Sequence, residues 1–153
     1  MIKGRPPRLP VIFQRYNRPL YFITMCTLHR RPFSSIELVH DAFVAFGTRA
    51  EHFNIAVGRY IVMPNHLHFF VCGDQTFVLP DWIKGLKRAI YNALPKPRRE
   101  NFWQPGYFDH LLRSDESYGE KWNYVPENPV RAGLVNDADA WPYAGEIIDI
   151  DRA

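Results

Sequence analysis

The sequence predicts an α+β domain of ferredoxin-like, split βαβ architecture: an antiparallel sheet with helices on one face, followed by a C-terminal tyrosine-bearing helix. Three observations carry this reading. Runs rich in aromatic and β-branched residues alternate with amphipathic runs in the order β-α-β-β-α-β, with a further helix at the end. Pro64-Asn65 joins two of the strands as a tight hairpin. The chain has 153 residues, enough for one hydrophobic core and too few for two.

The elements follow in order. Residues 1–19 contain Pro6, Pro7, Pro10 and Pro19 and read as an extended basic arm, because proline disrupts a helix interior. Leu20 to Leu28 reads as a buried strand. Ser34 or Ser35 caps a helix that carries Glu37 near its positive end and runs to about His52. Ile55 to Met63 and Leu67 to Cys72 are the hairpin strands. A second helix follows Pro80, with Trp82, Leu86, Ile90 and Leu94 on one stripe and Lys84, Lys87 and Arg88 off it. Pro95-Lys96-Pro97 stops it. Tyr107 to Leu112 is the most strand-like part of the extended stretch 102–113. Ser114 caps a last helix whose first turn holds Asp115 and Glu116, and residues 136–153 read as an acidic tail.

Composition removes several classes of function. Hydrophobic residues make up 46% and charged residues 23%, which excludes a disordered or collagen-like chain. Two cysteines, Cys26 and Cys72, lie inside apolar runs, so a disulfide framework is excluded. No apolar run reaches the roughly 20 residues that span a bilayer, and the opening MIKGRPPRLPVIF has no secretory h-region. The expectation is a cytoplasmic protein with no membrane partner.

The net charge is only +3, but it is unevenly distributed. From Met1 to Ile36 there are Lys3, Arg5, Arg8, Arg15, Arg18, Arg30 and Arg31, with no acid. Trp82 to Arg99 adds Lys84, Lys87, Arg88, Lys96, Arg98 and Arg99. Acids dominate the end, with Asp137, Asp139, Glu146, Asp149 and Asp151. Such blocks make a field that attracts a polyanion to one side of the molecule.

Two motifs carry chemistry. In the run Met63-Pro64-Asn65-His66-Leu67-His68-Phe69, residues two apart on a strand share a face, so His66 and His68 project together. Two imidazoles leave coordination positions open, and the cysteines lie far from suitable spacing, so the pattern favours an open metal site that admits a phosphate oxygen over a closed structural zinc. In the last helix Tyr118, Trp122 and Val125 form the core stripe. Tyr124 falls about 120° away from it, with Asn128 its neighbour one turn on. Pro126, two residues beyond the tyrosine, disturbs that helix.

The segments YIVMPNHLHFFV (Tyr60 to Val71), FWQPGYFDHLLR (Phe102 to Arg113) and NYVPENPVRAGLV (Asn123 to Val135) resemble the REP-associated tyrosine transposases, of the single-tyrosine HUH-type family. The opening strand YFITMCTLHRRPF and Trp141-Pro142-Tyr143 are similar to the same family, so the resemblance spans roughly Leu20 to Gly145. It implies that His66 and His68 bind a divalent metal, Mg2+ or Mn2+, and that Tyr124 is the nucleophile. Asn128 then matches a polar third ligand. His110 matches a family position without a role that the residues themselves reveal, and Asp109 and Glu127 are alternative oxygen ligands. The implied reaction is cleavage and rejoining of single-stranded DNA, or of a DNA hairpin, through a covalent 5′-phosphotyrosine. Lys84, Lys87, Arg88, Arg15 and Arg18 are candidate DNA contacts, and the working unit is a monomer or homodimer. The rival reading is a non-catalytic module that binds single-stranded DNA or RNA on a ferredoxin-like sheet.

Overall fold

The computed structural model describes residues 19–112, 118–123 and 125–150. Its strands are β1 (Leu20–Cys26), β2 (Ile55–Met63), β3 (His66–Gly73), β4 (Phe108–Leu112) and β5 (Ala144–Glu146). Its helices are α1 (Ile36–Ala50), α2 (Leu79–Ala93), and the short α3 (Tyr118–Trp122) and α4 (Asn128–Arg131). The strands form one antiparallel sheet in the order β4-β1-β3-β2-β5. The first four have the split βαβ order that the sequence predicts.

Local chemistry explains the two long helices. Ser35 Oγ accepts the Leu38 N–H at 3.2 Å, satisfying one of the unpaired donors at the start of α1. Val39, Phe43 and Gly47 recur at every fourth position and are buried, which aims α1 at the sheet. There the Phe43 ring lies 4.9 Å from Tyr60 and 5.2 Å from Phe69. Helix α2 buries Leu79, Ile83, Leu86 and Ile90. The stripe is shifted from expectation, with Ile83 central and Trp82 on its flank against Phe46 and Phe69.

Register determines what stands on the other face. Phe22, Thr24 and Cys26 of β1 lie opposite Phe70, His68 and His66 of β3. On the other side, Ile61 and Met63 of β2 face His68 and His66. Alternation puts these side chains on the face opposite α1 and α2. Trp122, Val125, Trp141 and Ala144 pack over Ile61 and Met63, and the Trp122 ring lies 5.5 Å from Phe70. The expected layering is therefore incomplete: the long helices take one face, and the C-terminal region covers part of the other.

One C-terminal expectation is corrected. A continuous last helix is not present among the described residues: α3 ends at Trp122, a 3-10 turn spans Val125–Glu127, and α4 begins at Asn128. Pro126 and Pro129 each lack the N–H a continuing helix needs. The expected cap at Ser114, with Asp115 and Glu116, lies outside the described residues.

The acidic stretch is also not a loose tail. Trp141 Nε1 donates to the Val62 carbonyl at 3.0 Å, and Val62 N–H donates to Tyr143 O at 2.7 Å. Strand β5 then pairs with β2, and Ile147, Ile148 and Ile150 are buried. Burying each isoleucine contributes about 1.5–3 kcal/mol. Glycine makes room for the close approach at two places, since a Cβ on Gly145 would come within 2.9 Å of Tyr60 Oη, and one on Gly47 within 2.6 Å of Ile147 Cδ1. The acidic composition masks a segment whose isoleucines complete the core.

Neither cysteine is in a disulfide, and both are buried. Among the described residues, no helix is long and apolar enough to cross a membrane.

Candidate active site

His66 and His68 open β3 directly after the two-residue turn, so the hairpin positions them. Residues two apart on a strand are separated by about 6.6 Å along the backbone. The imidazole centroids are only 5.0 Å apart, with planes at 81°, so the rings lean toward each other. Phe22 stacks nearly parallel to His68 at 5.5 Å, which fixes that ring from the side.

Each imidazole is anchored through Nδ1. His66 Nδ1 lies 2.7 Å from Asn65 Oδ1. Asn65 Nδ2 donates to the Arg30 carbonyl at 3.1 Å, which orients the amide with its oxygen toward His66. That oxygen can only accept, so His66 carries its proton on Nδ1. His68 Nδ1 is 2.8 Å from Thr24 Oγ1, a partner able to accept the same proton. In each ring the remaining nitrogen, Nε2, is then the one that could take a metal ion, and the anchoring bond holds the ring's orientation.

Electrostatics agree with this assignment. Burial first, then the positive charge of Arg30, lowers the His66 pKa to about 4. Burial, His66 and Arg30 together lower His68 to about 3. Both rings are therefore neutral near pH 7, the state a metal ligand requires. The residues present fit a divalent ion: two neutral imidazoles with their second nitrogens held. Nitrogen donors suit Mn2+ better than Mg2+.

The other expected site residues divide. Tyr124, Arg15 and Arg18 lie outside the described residues. Around Tyr124, Trp122 packs on Phe70 and Val125 joins the cluster with Ile61 and Met63 on the histidine face, whereas Asn123 is exposed. Asn128 begins α4, and its Oδ1 accepts from Arg131 Nη2, so its carbonyl oxygen already has a cationic partner. It does not continue a helix from α3, because a 3-10 turn over Val125–Glu127 stands between them. Glu127 is exposed in the preceding turn.

On β4, His110 pairs with Phe22 and alternates to the histidine face, whereas Asp109 pairs with Ile23 and alternates to the helix-bearing face. The pleat thus removes Asp109 from the ligand set. Among the described residues, no group of three or more His, Cys, Asp or Glu is gathered in metal-binding geometry.

The candidate DNA contacts on α2 also differ among themselves. Lys84 and Arg88 are exposed. Lys87 Nζ instead donates to the carbonyls of Gln104 at 3.2 Å and Gly106 at 2.7 Å, and burial lowers its pKa. Its carbonyl in turn accepts from Trp103 Nε1 at 3.1 Å. Lys87 is a clasp between α2 and the loop leading into β4.

Four residues near the site do not stand out in the sequence. Asn65 reads there only as a turn former, although a side-chain acceptor next to a paired histidine is a legible signal. Thr24 is revealed only by register. Arg30 reaches the site through a connection in which His29 and Arg30 both have φ of 57°. Lys121, whose Nζ lies 5.4 Å from the Phe22 ring centroid, joins it only through the packing of α3.

Comparison with known proteins follows the same lines. The family described as "Transposase IS200 like" matches residues 16–125. A Haemophilus influenzae protein named as a REP-associated tyrosine transposase is 24% identical over 139 residues, covering 82% of this chain and 78% of the relative. An Escherichia coli REP-associated tyrosine transposase is 27% identical over 99 residues, covering 63% of this chain and 57% of its own. A solved REP-associated tyrosine transposase bound to a REP hairpin has a similar fold, with a TM-score of 0.67 at 19% identity over 94% of this chain and 82% of that one. The matched region holds both histidines and Tyr124 and spans most of the sequence, so the chain belongs to the IS200-like transposase family.

Proposed function

We infer that this transposase cleaves and rejoins single-stranded or hairpin-forming DNA through a covalent tyrosine intermediate. The observation that carries the reading is the pair of neutral imidazoles, anchored at Nδ1 by Asn65 and Thr24, on the sheet face to which Trp122 and Val125 also pack. A closed structural zinc normally has four protein ligands. Two converging imidazoles leave room for substrate oxygens, which suits phosphoryl transfer.

His66 and His68 would hold a divalent cation, Mg2+ or Mn2+, whose charge would offset that developing on the scissile phosphate. Arg30 adds a positive charge close enough to lower both histidine pKa values, and so favours an anionic substrate there. Tyr124 supplies the nucleophile: its phenol oxygen bonds to phosphorus, the bond from phosphorus to the 3′-oxygen breaks, and that oxygen leaves as a 3′-hydroxyl. The product is a 5′-phosphotyrosine. One phosphodiester replaces another, so rejoining is the reverse step and needs no nucleotide cofactor.

The test is a denaturing gel of labelled hairpin DNA with an unpaired flank, incubated with the protein and Mn2+. A slow band resistant to denaturation is expected, lost with Tyr124→Phe while native binding persists. His66→Ala combined with His68→Ala removes the band without unfolding the protein. An undiminished band from Tyr124→Phe assigns the bond to another residue, and binding without any band from the parent protein leaves the binding-module reading.

A further inference from the structure

The histidine face is unevenly covered. Val125, Trp141 and Ala144 lie over its β2 side, and Trp122 over Phe70. Toward β4, Phe108 is 59% exposed. The register puts Phe108 opposite Thr24, and Thr24 opposite His68. The three side chains therefore form one row across β4, β1 and β3, on the same face of the pleat. Two strand spacings, about 10 Å, separate the ends of the row. Thr24 between them is short and already bonded to His68.

We propose that Phe108 is a base-stacking platform that holds an unpaired base of the DNA strand whose phosphate lies at His66 and His68. The inference rests on the DNA-cleavage reading above and adds the residue that positions the strand. Every nucleobase has a flat face, so stacking on an aromatic ring works for any sequence and contributes about 1–3 kcal/mol per base. Open sheet faces carrying such rings are a recurrent way of binding single-stranded nucleic acid.

The setting of the ring favours a nucleic acid over a protein partner. Leu111, the other exposed apolar residue of β4, alternates to the opposite face, so among the described residues β4 shows a single exposed apolar side chain on this face rather than a patch. Positive charge lies on the same side of the sheet: Lys121 over Phe22 in the adjacent row and Arg30 near the imidazoles. A flat apolar ring on a side of the sheet that also carries cations matches the alternation of base and phosphate along a single strand. On the other side, Lys87 ties basic helix α2 to the loop that enters β4, so this edge of the sheet joins the two cationic regions.

The test uses the whole protein with Tyr124→Phe as a cleavage-silent background, Mn2+, and a mixed-sequence single-stranded oligodeoxynucleotide carrying 5-iododeoxyuridine at successive positions. Irradiation is expected to cross-link one position to the peptide containing Phe108. Phe108→Ala should remove that cross-link and weaken binding roughly 5- to 150-fold, with an unchanged circular dichroism spectrum because the ring is exposed. Phe108→Leu, which keeps apolar bulk but no flat face, should lose the same affinity, and Phe108→Trp should restore it. Unchanged binding by Phe108→Ala, with cross-links mapped elsewhere, overturns the platform.

Covalent adduct formation by the protein with Tyr124 intact reports separately on cleavage. An adduct with no Phe108 effect refutes the platform alone. A Phe108 cross-link without any adduct supports the platform and refutes the cleavage reading.

Discussion

Asn65 Oδ1 accepts the Nδ1 proton of His66 at 2.7 Å, while the same amide donates through Nδ2 to the Arg30 carbonyl. One side chain thus sets the tautomer of a candidate ligand and steadies a connection whose residues His29 and Arg30 both have left-handed φ. Non-glycine residues carry a steric cost in that conformation, and such strain persists where surrounding bonds hold it.

Replacing Asn65 with Ala should therefore weaken metal binding more than folding. Loss of the anchor on a ligand histidine typically lowers metal affinity about 10- to 100-fold, against about 1 kcal/mol of stability for the lost hydrogen bonds. Calorimetric titration with Mn2+ and thermal melts of the metal-free protein measure the two effects. Asn65→Asp retains an acceptor for His66, so it should keep more metal affinity than the alanine variant.

The metal-free protein should lose stability as the solution is acidified. His66 and His68 have folded pKa values of about 4 and about 3, against about 6.5 when unfolded. Between those values the unfolded chain binds more protons, so stability is full above about pH 6.5 and declines as pH falls toward 3. Buried His40, also lowered by desolvation, acts in the same direction, whereas Glu146, raised by burial, opposes it. The two site histidines account for a loss on the order of 2–3 kcal/mol each. Urea melts from pH 7 to pH 4 should show the decline, and His66→Gln with His68→Gln should flatten it.

The first four strands and both long helices are legible in the sequence because each is a period signal bounded by proline, glycine or serine. The histidine pair is equally legible, since it needs only strand alternation. Thr24 and Arg30 are not, because their proximity to the histidines depends on register and on a connection with unusual backbone angles. Strand β5 is hidden for a different reason. Asp137, Asp139, Glu146, Asp149 and Asp151 dominate the composition there, although Ile147, Ile148 and Ile150 supply the residues that the core needs. Asn128 departs from its expected place because helical geometry does not continue through Pro126.

The docked C-terminal strand can be tested through Gly47 and Ile147. Ile147→Val removes Cδ1, the atom that a Cβ on Gly47 would approach at 2.6 Å, and should cost about 0.5–1.5 kcal/mol. Gly47→Ala in the parent protein sets helix propensity, worth up to about 1 kcal/mol, against that clash and should be net destabilising. In the Ile147→Val background the clash is gone and the same change should stabilise. A sign reversal in the double-mutant cycle requires the two residues to touch, and additive effects would leave the C-terminal segment undocked from α1.

Helix α2 offers a separation between two lysines one turn apart. Lys84 is exposed, whereas Lys87 commits its ammonium to the carbonyls of Gln104 and Gly106. Lys84→Ala together with Arg88→Ala should lower DNA affinity and reduce the slope of log affinity against log salt by about 0.7 for each single-strand phosphate no longer neutralised, with little change in melting temperature. Lys87→Met should instead cost about 1–2 kcal/mol of stability as its hydrogen bonds disappear and leave the salt slope near the parent value. The comparison discriminates because counterion release counts only cations that touch phosphate. A lysine whose charge is held by backbone carbonyls keeps the β4 loop in place, and its removal is read in the melt before it is read in the binding isotherm.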